Sequence, residues 1–265
     1  MHTNLSRHSA FFLLFIMSSK KRVNSSYSAF QDVVEEKPFD LRFGQNFKII
    51  LSGASGTGKT VTCKRLLQHA DQLMVKPPGM IYFFYSIWQH GYEDIKNSVR
   101  IPIKFIHGAP SDDTIDEIVS QPVKGCTIVL DDMQQHLSRS IVNLFQVQAR
   151  HNQINLILLI QSLFDRTSPN LRDISLSATH FILTKSPRDQ TQIFYLGRQM
   201  YPGRASELVK VFMDATSQPY TYLLIDYTQQ CPGYLRLRSS IFPEEKPMKC
   251  WILEHEMQQA VEKTL

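Results

Sequence analysis

Cysteine is scarce in this chain: 265 residues carry four, Cys63, Cys126, Cys231 and Cys250. They are widely spaced, with no CxxC pair and no Cys/His ligand spacing. That argues against a disulfide scaffold or a zinc ribbon and makes a reducing, intracellular compartment the default. Long hydrophobic runs are also missing. The longest early one, Ala10 to Met17, spans eight residues between Arg7 and the cluster Lys20-Lys21-Arg22, whereas a bilayer-spanning helix needs about 20. No small-x-small cleavage site stands out after it, so an ordinary hydrophobic N-terminal segment or an imperfect gene start is expected rather than a secretory signal. Internal repeats and low-complexity tracts are absent. So is a strong charge of one sign: 29 Lys and Arg against 24 Asp and Glu leave a net charge of +5. This mild surplus permits a polyanionic partner without announcing one.

What is present is enough apolar material for a core. Hydrophobic residues make up 43% of the chain and charged residues 20%, which excludes a disordered or collagen-like protein. Residues 1–37 show no sustained period and are expected to be a poorly ordered N-terminal extension. From residue 38 the pattern changes. Strands are expected at Phe47–Leu51, Met80–Tyr85, Ile103–Ile106, Cys126–Leu130, Leu156–Ile160, Phe181–Thr184, Tyr220–Ile225 and Tyr234–Arg238. Helices are expected from Gly58 or Lys59 to Leu73 and over Asp113–Ser120, Ser138–His151, Asp189–Gln199, Ala205–Met213 and Ile252–Glu262. Alternation of strand and helix predicts an α/β domain with a mostly parallel sheet covered on both faces. Near-continuous apolar strands agree with that burial. One domain is expected over 38–243, with a C-terminal helical extension over 244–265.

Between the first strand and helix stands Gly53-Ala54-Ser55-Gly56-Thr57-Gly58-Lys59-Thr60, a full match to G-x-x-x-x-G-K-[ST]. Glycines let successive backbone N–H groups turn onto a phosphate at a helix N-terminus. Lys59 offers a mobile positive charge to the terminal phosphates of ATP, and the Thr60 hydroxyl suits Mg²⁺. The strand Thr127–Leu130 delivers Asp131 beside that loop as the metal-side carboxylate. Asp132 follows where many ATPases place the acid that polarises the attacking water; capping a turn is the plainer role for it. Gln161, at the tip of the Asn155–Ile160 strand, can reach the γ-phosphate or the lytic water. Arg150 has two readings: an arginine finger for a neighbouring subunit, or a cation complementing a helix C-terminus.

The order of these motifs resembles the genome-packaging ATPases of the FtsK/HerA superfamily, of the poxvirus type and its counterparts in Polinton/Maverick elements and adintoviruses. The resemblance rests on GASGTGKT, on IVLDDM and on the run from Asn143 to Phe164. Leu171–Leu176 (LRDISL), Ser186–Gln190 (SPRDQ), Gln199–Gly203 (QMYPG) and Asp214–Tyr220 (DATSQPY) extend it over about residues 44–243. It implies a P-loop NTPase fold of the ASCE, RecA/FtsK-like type, with ATP and Mg²⁺ as cofactors. It further implies a homo-oligomeric ring that pushes double-stranded DNA into a capsid through a portal or vertex, at sites of virion assembly in the host nucleus or cytoplasm. The chain departs from the usual family pattern at Gln148, where many members have Gly, and at Ile160, where many have Thr before the Gln.

A motor of this kind grips the DNA backbone with Lys and Arg rather than reading bases. Arg166, Arg172, Arg236 and Arg238 are candidates; for each, a solvated surface charge is the more common role. The aromatic run Tyr82–Tyr85 fits a buried strand better than a stacking surface. A nucleoside or nucleotide kinase, and a non-motor nucleotide-gated scaffold from a domesticated element, are the competing functions.

Overall fold

The computed structural model describes residues 27–28, 39–121, 125–165, 167–185, 190–245 and 247–253. Its strands are β1 (Tyr27–Ser28), β2 (Lys48–Ser52), β3 (Met80–Tyr85), β4 (Ile103–His107), β5 (Cys126–Asp131), β6 (Asn155–Ile160), β7 (His180–Thr184), β8 (Tyr222–Asp226), β9 (Leu237–Ser239) and β10 (Lys249–Leu253). The helices are α1 (Lys59–Gln68), α2 (Ala70–Leu73), α3 (Gly91–Ser98), α4 (Asp112–Ser120), α5 (Arg139–Asn143), α6 (Ala149–His151), α7 (Pro169–Ser177), α8 (Gln190–Met200) and α9 (Ala205–Ala215). The strands form one sheet in the order β1-β10-β9-β8-β7-β2-β6-β5-β3-β4. From β7 to β4 every pairing is parallel. Beyond β7 the sheet continues antiparallel.

The apolar runs explain this layering. β5, β6, β7 and β8 are buried along their whole length, so both faces must be covered. Ile50 and Leu158 face one layer, which includes Ile141, Ile174 and Leu208. Ile49, Leu51 and Ile157 face the other, with Cys63, Leu66 and Tyr92. This period-two division of the strands assigns each helix to a layer. Each fully buried Leu or Ile side chain contributes about 1.5–3 kcal/mol. The aromatic run of β3 is part of that core, with Tyr82, Phe83 and Phe84 buried. All four cysteines are free. Among the described residues no helix is long and apolar enough to cross a membrane.

Three expectations change. The helix expected over Ser138–His151 is interrupted by a π-turn at Leu144–Gln148, where the Ala149 N–H donates to the Leu144 carbonyl. The wider turn keeps Leu144, Phe145 and Ala149 all fully buried. Tyr234–Arg238 is not one strand: a 3₁₀ turn at Gly233–Leu235 precedes β9. Residues 249–253, expected within the helical C-terminal extension, form β10 against β9 instead. An apolar Trp251-Ile252-Leu253 run covers an edge that β9 would otherwise expose, and the Trp251 indole donates to Asp214 at 2.8 Å. The rest of the expected helix and nearly all of the N-terminal extension lie outside the described residues.

Two of the candidate DNA contacts are structural instead. Arg238 is 1% exposed, with Nη2 donating to Asp226 Oδ2 at 2.9 Å and Nη1 to the Leu235 carbonyl at 2.6 Å. Arg236 donates to the carbonyls of Asp226 and Cys231. Both arginines therefore tie the β8–β9 connection together. Burial alone would raise the Asp226 carboxyl, but contacts from His180 and Thr228 and the Arg238 charge hold it well below the usual carboxylate range. A depressed carboxyl stabilises the fold above its unfolded pKa of about 4, and that stability is lost as pH falls below it. Asp226→Asn is expected to cost about 3 kcal/mol at pH 7, by leaving Arg238 buried without its partner. Urea denaturation at several pH values should show the gap from wild type closing in acid.

Candidate active site

Parallel strands bring their carboxyl ends to one edge of the sheet, and every residue of the site but one comes from that edge. Pairing levels the tips: Ser52 lies opposite Ile160, Asp131 opposite Leu159, and Tyr85 opposite Asp131. The loop Gly53–Gly58 leaves β2 and enters α1. Gly56 and Gly58 have φ of 76° and 90°, the left-handed region open to glycine at little cost. Gly53 is required for a different reason. A Cβ there would overlap Thr184 Oγ1, because β7 presses its tip against the loop. The Thr57 and Thr184 hydroxyls are hydrogen-bonded at 2.7 Å, and Thr57 also donates to the Ala54 carbonyl at 2.8 Å.

Lys59 folds over this loop, its Nζ donating to the carbonyls of Gly53 and Ala54 at 2.7 and 2.9 Å. Burial lowers its pKa, opposed by the charges of Asp131 and Asp132. The ammonium thus stands between the loop and two carboxylates.

Asp131 is 4% exposed and lies within reach of two hydroxyls. The Tyr92 phenol donates to its Oδ2 at 3.0 Å, and Thr60 Oγ1 sits 3.4 Å from the same atom. Burial raises the Asp131 carboxyl; the Tyr92 hydrogen bond pulls it down, Asp132 pushes it up, and Lys59 and Thr60 oppose that. Tyr92 is itself pushed far above the ordinary phenol range by burial and by Asp131, so it remains a neutral donor. A buried carboxylate raised by desolvation, with a second hydroxyl only loosely held beside it, fits a hard divalent cation. Mg²⁺ takes one or two protein oxygens and fills its octahedron with water and phosphate. Thr60 and Asp131 would hold it; when bound, it neutralises charge on the phosphates.

Asp132 leaves the strand in a left-handed turn, φ 57°, which turns it away from the line of β5. Its carboxylate accepts from Ser86 Oγ at 3.3 Å and from Gln161 Nε2 at 3.4 Å. Gln161 is positioned in turn: its backbone N–H donates to Gln134 Oε1 at 3.1 Å, and Gln134 Nε2 donates to Asp165 Oδ2 at 2.8 Å. The structure therefore brings Lys59, Thr60, Asp131, Asp132 and Gln161 together. Arg150 is the exception. It is exposed and its charge acts on Lys48, at the opposite end of β2, so it does not reach the loop of its own chain. Arg172 is exposed on α7; Arg166 and Ser186–Asp189 lie outside the described residues.

Between β2, which carries the loop, and β5, which carries Asp131, the sheet inserts β6 with Gln161 at its tip. Residues 45–167 match the family model described as an AAA domain, a span that takes in the loop, both aspartates and Gln161. The fold is a P-loop NTPase fold. Among solved structures, one similar chain is the genome packaging NTPase B204 from Sulfolobus turreted icosahedral virus 2 in complex with ATP-gammaS. It shares 16% identity at a TM-score of 0.47, covering 70% of this chain and 95% of that one. No curated protein matches the chain.

Four residues that hold this site together carry no motif in the sequence: Tyr92, Thr184, Ser86 and Gln134. Tyr92 sits on α3, which carries Tyr92 and Ile95 buried three residues apart; that spacing is the one signal the sequence offers. Tyr92→Phe keeps the ring and removes the donor to Asp131. Losing a partner of the carboxylate that would hold Mg²⁺ should weaken Mg²⁺-dependent nucleotide binding about ten-fold. Calorimetric titration with and without Mg²⁺ checks this, since the metal-free affinity is expected to stay unchanged.

Proposed function

We propose that this P-loop NTPase hydrolyses ATP to drive double-stranded DNA into a viral capsid, working as a homo-oligomeric ring at a portal or vertex. The observation that carries the hydrolytic half is the Asp132–Gln161 pair. Two polar side chains from adjacent strand tips meet at 3.4 Å, beside the metal-side Asp131 and opposite the Lys59 loop. A carboxylate and an amide held there suit the orientation of a water in line with a γ-phosphate. In this reading Asp132 accepts the water's proton, Gln161 orients it, and Lys59 balances charge on the phosphate oxygens. A kinase would need an acceptor hydroxyl at that place, and kinases generally close an Arg-rich lid over the donor phosphate.

The packaging half is supported by the sequence, in which the loop, the IVLDDM strand and the Asn143–Phe164 run occur in the family's order with the four downstream stretches. Arg150 fits a role in trans. Exposed at the end of the sheet away from its own loop, it is free to meet a neighbouring subunit's phosphates. Of the DNA candidates, Arg172 keeps an exposed position suited to a backbone grip.

Purified protein is expected to hydrolyse ATP faster in the presence of duplex DNA. Lys59→Ala should abolish turnover and Asp131→Ala reduce it by about 100-fold or more, the scale of losing a preorganised charge contact. Particle imaging with ATP should show rings. ATPase activity indifferent to DNA, with no oligomer, would count against the motor; phosphate transfer to a nucleoside would favour the kinase. Mixing Arg150→Ala with Lys59→Ala subunits should recover activity at composite sites, and no recovery from intact mixed rings would remove Arg150 from the site.

A further inference from the structure

We propose that Tyr220 is the stacking platform for the base of the bound nucleotide. The strand order sets the direction in which a nucleotide lies on the loop. Asp131, Asp132 and Gln161 come from β5 and β6, on one side of β2, so the terminal phosphate points to that side. The sugar and base must leave the loop away from these carboxylates. On the other side of β2 stand β7 and β8, and Tyr220 belongs to the segment immediately before β8.

Its ring lies against the loop itself. A Cβ built on Gly58 would be 3.2 Å from Tyr220 Cδ1, so the phenol edge rests on the residue just before Lys59. Tyr220 is nevertheless 70% exposed, leaving much of a large aromatic surface in water. Its backbone is left-handed, φ 62°, a conformation unfavourable to a residue with a β-carbon. Core packing therefore does not account for an aromatic side chain at this position. Val61, one residue past Thr60, is 56% exposed at the start of α1 and adds an apolar surface near the same end of the loop. An exposed ring stacks on the π-face of any base, and purines offer it the larger face. The ligand class is thus a purine nucleoside di- or triphosphate whose phosphates occupy the loop.

This inference rests on the loop's being a nucleotide site, and not on hydrolysis or on DNA. The test compares a ligand with a base, ADP, and one without, tripolyphosphate, by calorimetry in Mg²⁺. Tyr220→Ala should weaken ADP about ten-fold, the scale of one lost base–aromatic stack, with tripolyphosphate affinity unchanged. Tyr220→Phe should bind ADP as wild type does. In Tyr220→Trp, ADP should quench fluorescence beyond the change seen from the two native tryptophans, and tripolyphosphate should not. Unchanged ADP affinity in Tyr220→Ala overturns the platform, as does an equal loss for both ligands or a loss that Phe does not rescue. ADP binding without ATP turnover would sink the hydrolytic reading and leave the platform standing. A wild-type protein that binds no ADP would sink both.

Discussion

A negative charge buried at the end of a hydrophobic strand is the constraint on which the rest of the site depends. Asp131 follows the apolar residues Ile128, Val129 and Leu130 of β5 and keeps 4% of its surface. In that position the charged form is penalised unless donors or a cation surround it. Tyr92 supplies one donor from α3, Thr60 stands near from α1, and Lys59 brings a cation. These groups come from two different helices, so both must be in place together. The layer formed by α1 and α3 against Ile49, Leu51 and Ile157 is what fixes their separation. Core packing and electrostatics are therefore the same problem on this face of the sheet.

The two edges of the sheet are used differently. At the carboxyl edge of the parallel strands, the exposed Asp132 holds Ser86 and Gln161 only at 3.3 and 3.4 Å. Such long contacts leave room to re-form around a ligand. At the opposite edge, Asp226, Arg238 and His180 are nearly sealed from water and the Arg238 bond is 2.9 Å. Buried pairs of that kind add less to stability than to the choice of one pairing over another. Here the pairing chosen is the antiparallel turn-back of β8 and β9, which widens the sheet beyond its parallel half.

Much of this is legible in the sequence because it follows from short-range pattern. The apolar runs at Cys126–Leu130 and Leu156–Ile160 read as strands buried on both faces, and the glycine loop declares its own neighbours. Lys59, Thr60, Asp131, Asp132 and Gln161 all sit directly at strand ends or on the loop, so their convergence follows once the strands are parallel. Tyr92 is not legible, since it reaches Asp131 from a helix 39 residues earlier in the chain. Thr184 is hidden likewise, 127 residues from Thr57. Arg238 is deceptive, because alternation in Tyr234–Arg238 suggests a strand with an outward charged face. The 3₁₀ turn at Gly233–Leu235 breaks that alternation, and Asp226 draws the guanidinium inward.

The contact between the loop and β7 has a consequence for how such a chain diverges. Gly53 faces the Thr184 hydroxyl with no space between them for a methyl group. Neither position is free to drift alone, though they are separated by most of the domain. A side chain at 53 demands a smaller residue at 184, and a larger residue at 184 demands glycine at 53. Among descendants of this sequence the two positions should behave as a single inherited character, with Thr57 following whenever the hydroxyl at 184 is lost.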